Sequence, residues 1–217
     1  MASCIIFCAA EFDGLLSPIP DNALTIAADG GLAHTKALGI QPDVILGDFD
    51  SLGYVPEDSR VFPVEKDDTD AMLAVRLGLS RGCDEFLLYG AMDGPRLDHT
   101  IANFQTLAFL AQHNARGWLI GRDYIATVAS RETLCFEPDC TGILSCFCLG
   151  EDITDLTLSG LKYPLEHGIL TAAFPLGVSN HFVGEAARIT LGDGLLLLLW
   201  DRRNGLCRRS FLENRSC

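Results

Sequence analysis

Four acidic clusters fall within the first hundred residues, each at the end of an apolar run with the length of a β-strand. They are Asp29-Gly30-Gly31, Gly47-Asp48-Phe49-Asp50-Ser51, Lys66-Asp67-Asp68-Thr69-Asp70 and Arg96-Leu97-Asp98-His99. In an open α/β sheet the carboxyl ends of the strands share one edge, so side chains distant in sequence meet there. Carboxylates gathered at one edge repel one another unless a positive charge stands between them. A hard divalent cation that also carries phosphate oxygens meets that need. The first half of the chain therefore reads as a site for magnesium and a polyphosphate.

The rest of the composition bounds the partners. The chain has 217 residues, room for one large domain or two small ones, and is 48% hydrophobic. Its formal net charge is -13, from 29 acidic and 16 basic side chains. Such a surface disfavours nucleic acid and anionic membrane as partners. It would repel ATP as well, so a metal ion has to reverse the potential locally. The opening apolar run, Cys4 to Ala10, is short, has no basic flank and soon meets Glu11 and Asp13, so no signal peptide is expected. The run Leu195 to Trp200 is too short to span a bilayer. A cytoplasmic protein is the expectation. The nine cysteines are odd in number and none has zinc-knuckle spacing. Cys4, Cys8, Cys135, Cys146 and Cys148 lie in strand-like runs, where a thiol packs as a small hydrophobe.

Strands and helices alternate in the first half. Strands are expected at Ser3–Ala9, Leu24–Ala28, Val44–Leu46, Val61–Val64, Glu85–Tyr89 and Gly117–Ile120. Helices are expected after Gly31 to about Leu38, from Thr69 to about Arg81, and from Leu97 to about His113. Asp68 or Thr69 is placed to cap the second. In the third, Leu97, Ile101, Phe104, Ala108 and Ala111 form one helical stripe. This order predicts an α/β domain over residues 1–125, with a mostly parallel sheet and helices on both faces. Beyond about Tyr124 only short runs recur, separated by turns such as Glu137-Pro138-Asp139 and Gly192-Asp193-Gly194. They predict a smaller all-β sandwich over residues 126–217.

The acidic residues have specific chemistry open to them. Asp48 and Asp50 are two apart, which on a strand puts both carboxylates on one side, able to chelate magnesium. Asp67, Asp68 and Asp70 surround a helix start, where acids also serve to cap amides and oppose the dipole. Lys66 beside them could meet a phosphate, and Asp70 is the one expected to face a metal. Gly90 to Pro95 is a glycine-bearing loop before a helix N-terminus, where amides bind phosphate, and Arg96 adds a planar fork of donors. Asp98 serves equally as a helix cap, and His99 as a packing residue. Gly30 and Gly31 let backbone approach a ligand closely. The loops of P-loop kinases and dinucleotide dehydrogenases are both missing from the sequence.

Taken together, Asp29-Gly30-Gly31, Gly47-Asp48-Phe49-Asp50-Ser51, Lys66-Asp67-x-Thr69-Asp70 and Arg96-x-Asp98-His99 resemble the thiamine pyrophosphokinase family. The resemblance implies transfer of the diphosphate of ATP to the hydroxyl of thiamine, releasing AMP. It implies magnesium on Asp48, Asp50 and Asp70, and catalytic parts for Asp50, Asp70 and Asp98. ATP and its phosphates would meet Asp29, Gly30, Gly31, Ser51, Lys66, Arg96, Asp98 and His99. Ser179 and Asn180 would help bind thiamine, in a homodimer with that site between subunits. One departure stands out. The loop Gly90-Ala91-Met92-Asp93-Gly94-Pro95-Arg96 carries a proline where the family has glycine, and one extra residue. Three alternatives stay open: a diphosphokinase acting on a hydroxymethylpterin, a binding module without turnover, and metal-dependent phosphate-ester hydrolysis.

Overall fold

The computed structural model describes residues 2–49, 54–57, 59–61 and 68–212. The chain divides into two compact units, Met1–Arg122 and Asp123–Cys217. The first is built on β1 (Ser3–Phe7), β2 (Leu24–Ala28), β3 (Val44–Gly47), β4 (Arg60–Val61), β5 (Glu85–Tyr89) and β6 (Arg116–Ile120). They lie in the order β6-β5-β1-β2-β3-β4, and each neighbouring pair is parallel. Strands β1, β2 and β6 are buried almost throughout, which is why they read as mainly apolar runs. The order reverses between β1 and β5. That crevice is where open α/β sheets receive ligands.

Three helices cover this sheet: α1 (Gly31–Ala37), α2 (Asp70–Ser80) and α3 (Leu97–Gln112). Cys4, Phe86 and Gly117 are cross-strand neighbours on one face. Gly78 of α2 lies against Cys4 and Phe86, and Leu107 and Leu110 of α3 lie over Gly117. The opposite face carries Phe7 stacked on Tyr89 at 5.7 Å, and Phe12 joins Tyr89 to His34 of α1. Helices therefore occupy both faces. Thr69 caps α2, its hydroxyl accepting from Met72 N at 3.2 Å.

The face that α3 buries differs from the expected stripe. Leu97 and Ile101 are 72% and 53% exposed, while Asn103, Thr106, Leu107 and Leu110 turn inward. Spacing reveals the helical period but leaves open which stripe faces the core when a competing stripe contains polar residues. Here the polar members are satisfied. Asn103 Nδ2 donates to Ala91 O at 2.8 Å, and the Thr106 hydroxyl donates to Ala102 O at 3.1 Å. Bonded in this way, they bury at little cost.

The second unit is antiparallel. Its strands are β7 (Tyr124–Ala129), β8 (Glu132–Phe136), β9 (Ile143–Cys148), β10 (Ile153–Ser159), β11 (Leu165–Leu170), β12 (Asn180–His181), β13 (Ala187–Leu191), β14 (Leu196–Asp201) and β15 (Arg208–Phe211). Five form a sheet in the order β11-β10-β13-β8-β15, and the other four pair in the order β12-β9-β14-β7. Between the two sets lie Trp200 of β14 and Phe136 of β8, edge to face at 5.2 Å, with Phe182 beside Phe136. A buried ion pair also joins them. Arg209 of β15 donates to Glu132 of β8, and also to Thr127 Oγ1 at 2.6 Å and Val128 O at 2.9 Å on β7. The cysteines Cys4, Cys8, Cys83, Cys135, Cys140, Cys146, Cys148 and Cys207 are free. Burial pushes the Cys8 and Cys146 thiols up to about 12, far from reactive.

Candidate active site

Asp29, Asp48 and Asp70 converge. Asp29 follows β2, Asp48 follows β3, and Asp70 is the first residue of α2. One carboxylate oxygen from each lies within 4.8 Å of the other two, and all three residues are half-buried. The backbone sets their positions. Asp29 N donates to Leu46 O at 2.8 Å, and Asp29 takes a left-handed φ of 48°. Gly47 passes so close that a Cβ there would sit 3.0 Å from Asp29 Cα. Its φ of 151° is likewise suited to glycine. Phe49, at φ 58°, is held in that strained conformation with its side chain buried at 2% exposure. Asp70 is aimed by the Thr69 cap that starts its helix. Asp68, by contrast, pairs with Arg76 at 3.0 Å along the helix, and the Arg76 guanidinium lies over the Phe109 ring.

Asp48 and Asp70 were expected to share a metal, and Asp29 to face phosphate. The structure brings all three to one point. Asp50, Ser51 and Lys66 lie outside the described residues. Three carboxylates this close, with only oxygen donors, form a set that could hold a hard divalent cation. The signal for Asp29 was already in the sequence: an acid ending a strand, opposite a glycine ending the next one.

The neighbouring strand ends complete the edge. Gly30 caps α1 and Gly31 begins it, packed against Phe7. Cys8 N donates to Tyr89 O and Ala10 N to Gly90 O, so the chain after β1 is tied to the loop after β5. That loop ends at Arg96, whose guanidinium forks onto Asp98, with Nε to Oδ1 at 3.2 Å and Nη2 to Oδ2 at 2.5 Å. Both side chains are well exposed. Hydrogen bonding from Arg96 holds the Asp98 carboxyl below its ordinary range. His99 is exposed in the first turn of α3.

In the second unit, Ser179 is exposed at φ 60°, its amide donating to Ser145 Oγ at 3.0 Å. Asn180 is buried and already engaged. Its side chain donates to Tyr163 O at 2.7 Å and accepts from Tyr163 N at 2.9 Å.

Two family models match in tandem: Thiamin pyrophosphokinase, catalytic domain, over residues 18–119, and Thiamin pyrophosphokinase, vitamin B1 binding domain, over residues 133–196. The chain belongs to the thiamin pyrophosphokinase family. A thiamine pyrophosphokinase of Bacillus subtilis (strain 168) is 29% identical over 191 residues, covering 82% of this chain and 87% of that one. Crystal structures of the thiamine pyrophosphokinase from Bacillus subtilis and of a thiamin pyrophosphokinase family protein from Enterococcus faecalis superpose with TM-scores of 0.78 and 0.77. Each is 26% identical and covers 93% of this chain and 99% of its own. The yeast thiamin pyrophosphokinase, at 15% identity and a TM-score of 0.69, shares the fold. The α/β unit followed by an antiparallel β unit is thus the architecture of thiamin pyrophosphokinases. Among the described residues no helix is long and apolar enough to cross a membrane.

Proposed function

We propose that this thiamin pyrophosphokinase family member transfers the diphosphate of ATP to the hydroxyl oxygen of thiamine. The products are thiamine diphosphate and AMP. The observation that carries the reading is the convergence of Asp29, Asp48 and Asp70 at the ligand edge of the catalytic unit. The vitamin B1 binding match over residues 133–196 supports thiamine as the acceptor. The thiamine oxygen attacks the β-phosphorus as the bond to the oxygen of AMP breaks, and the hydroxyl proton passes to a carboxylate of the site, Asp70 or Asp98. Positioning and charge neutralisation dominate such transfers. A bound magnesium ion would supply charge neutralisation on the transferring group. The triad acids hold negative oxygens at one point, and Asp50, two residues beyond Asp48, joins them in this reading. Gly30, Gly31, Ser51, Lys66 and His99 line the nucleotide's phosphates, and Arg96 offers its fork to them. Asp98 keeps that fork aimed. Its carboxylate takes both arms of the guanidinium.

Ser179 presents its exposed hydroxyl to thiamine, while Asn180 braces the segment carrying it. A second copy of the chain completes the thiamine site. Support comes from Tyr163, Ile169, Phe174 and Leu176 in the second unit, large apolar side chains each more than half exposed. A single-chain mass by analytical ultracentrifugation would remove the dimer from this reading.

Product analysis tests the reaction. With ATP, magnesium and thiamine, AMP and thiamine diphosphate are expected in equal amounts, and hydroxymethylpterin in place of thiamine should give neither AMP nor a diphosphorylated pterin. Release of inorganic phosphate alone, or no AMP at all, would refute the transfer.

A further inference from the structure

We propose that Asn103 is a positioning residue for ATP binding, acting through the loop between β5 and α3; this rests on the diphosphokinase reading above. The loop Gly90–Arg96 contains Pro95, which offers no amide. A loop of that kind needs holding from outside if its remaining amides and Arg96 are to meet a phosphate in one geometry.

Two contacts, one to α3 and one to the backbone after β6, provide the hold. Asn103, buried on the inner face of α3, donates Nδ2 to Ala91 O at 2.8 Å. Thr106 is satisfied by its own helix, whereas Asn103 reaches out of α3 to the loop. On the far side, Asp93 at φ 62° accepts from Arg122 N at 2.7 Å, just past the end of β6. The fit is close, since a Cβ on Gly121 would lie 2.4 Å from Asp93 Oδ2. Between the two pins, Ala91 and Met92 are buried at 4% and 5% exposure. The loop begins with Gly90 O accepting from Ala10 N at 2.9 Å, at the crevice where the strand order reverses. A leucine of similar volume would fill the space of Asn103 but would leave Ala91 O unheld. Ordering the loop before ligand arrives removes that entropy cost from binding, which is the part Asn103 plays.

Calorimetric titration with MgATP alone, combined with steady-state kinetics, decides this. Asn103→Ala and Asp93→Ala should each weaken MgATP binding about tenfold, the loss expected for one well-placed hydrogen bond. The KM for ATP should rise to match, with kcat and the KM for thiamine unchanged. Asp93→Asn, which keeps an oxygen for Arg122 N, should behave as wild type. Unchanged MgATP affinity in a folded Asn103→Ala protein overturns the proposal, as does a fall in kcat with no change in the KM for ATP. If Asn103→Ala fails to fold, Asn103→Leu, which fills the space and leaves Ala91 O unheld, decides by the same criteria. If wild type binds MgATP but makes no AMP with thiamine, the diphosphokinase reading falls while the titrations still judge the loop. If wild type fails to bind MgATP, both fall.

Discussion

Asp70→Asn is expected to cut AMP formation by about a thousandfold or more while the metal-free protein melts no lower than wild type. The loss follows from the part assigned to the carboxylate: metal stabilisation of transition-state charge is worth several kcal/mol, and about 4 kcal/mol is about a thousandfold in rate. The stability half follows from the spacing. Carboxylate oxygens up to 4.8 Å apart, at an effective dielectric constant of about 20, repel by on the order of 3 kcal/mol per pair. Asparagine removes two of the three pairwise repulsions and keeps the shape. Against this stands the lost favourable charge at the first turn of α2, worth about 0.3–1 kcal/mol. Magnesium should raise the melting temperature of wild type and leave that of the variant nearly unmoved, because only a ligand that binds the native state shifts the transition. Thermal melts with and without magnesium, beside an AMP assay, check both halves. Wild-type turnover in Asp70→Asn, or a magnesium shift that survives the substitution, would remove Asp70 from the metal site.

Glu132→Ala should lower stability by about 3–5 kcal/mol, the usual result of deleting one member of a buried ion pair. The Glu132 and Arg209 side chains are 1% and 2% exposed. Removing the carboxylate leaves the guanidinium away from water with less charge compensation. Arg209 also donates to Thr127 and Val128, so its displacement disturbs both sheets of the unit. For a chain of this size the melting temperature should fall by about 10 °C. Replacing both partners by apolar residues, Glu132→Leu with Arg209→Met, should recover most of that loss. Urea unfolding followed by fluorescence reads the effect, as Trp200 reports from the same unit. A double variant no more stable than Glu132→Ala would mean that the polar contacts themselves, and not the orphaned charge, carry the energy.

Much of this architecture was legible because local signals agreed with the tertiary ones. Leu24–Ala28 and Glu85–Tyr89 are mainly apolar runs bounded by turn residues, and both appear as strands with those limits. The start of α2 was readable because Thr69 is a good cap followed by helix formers. Where the sequence reading went astray, long-range partners decided the outcome. The inner face of α3 could not be picked from spacing alone, because the acceptor that makes Asn103 burial cheap is Ala91, twelve residues away. Strand β15 went unread because Arg208 and Arg209 look like surface residues. Its distant partners Glu132, Thr127 and Val128 make Arg209 an interior one. Strand β12 is two residues long, too short for any periodicity. The acidic edge itself was legible, since each acid closes an apolar run. That Asp29 stands beside Asp48 depends on how closely β3 approaches β2, which no periodicity encodes.

That close approach bears on how variants of this chain should be judged. A Cβ on Gly47 would press on Asp29 at 3.0 Å in a backbone conformation that suits glycine, so an alanine there would strain the turn and push a neighbour whose own letter never changed. A relative that kept every aspartate but had lost this glycine would pass any inventory of acids while presenting them out of register. Screening for competent homologues should weigh the smallest residue at the rim as heavily as the charged ones.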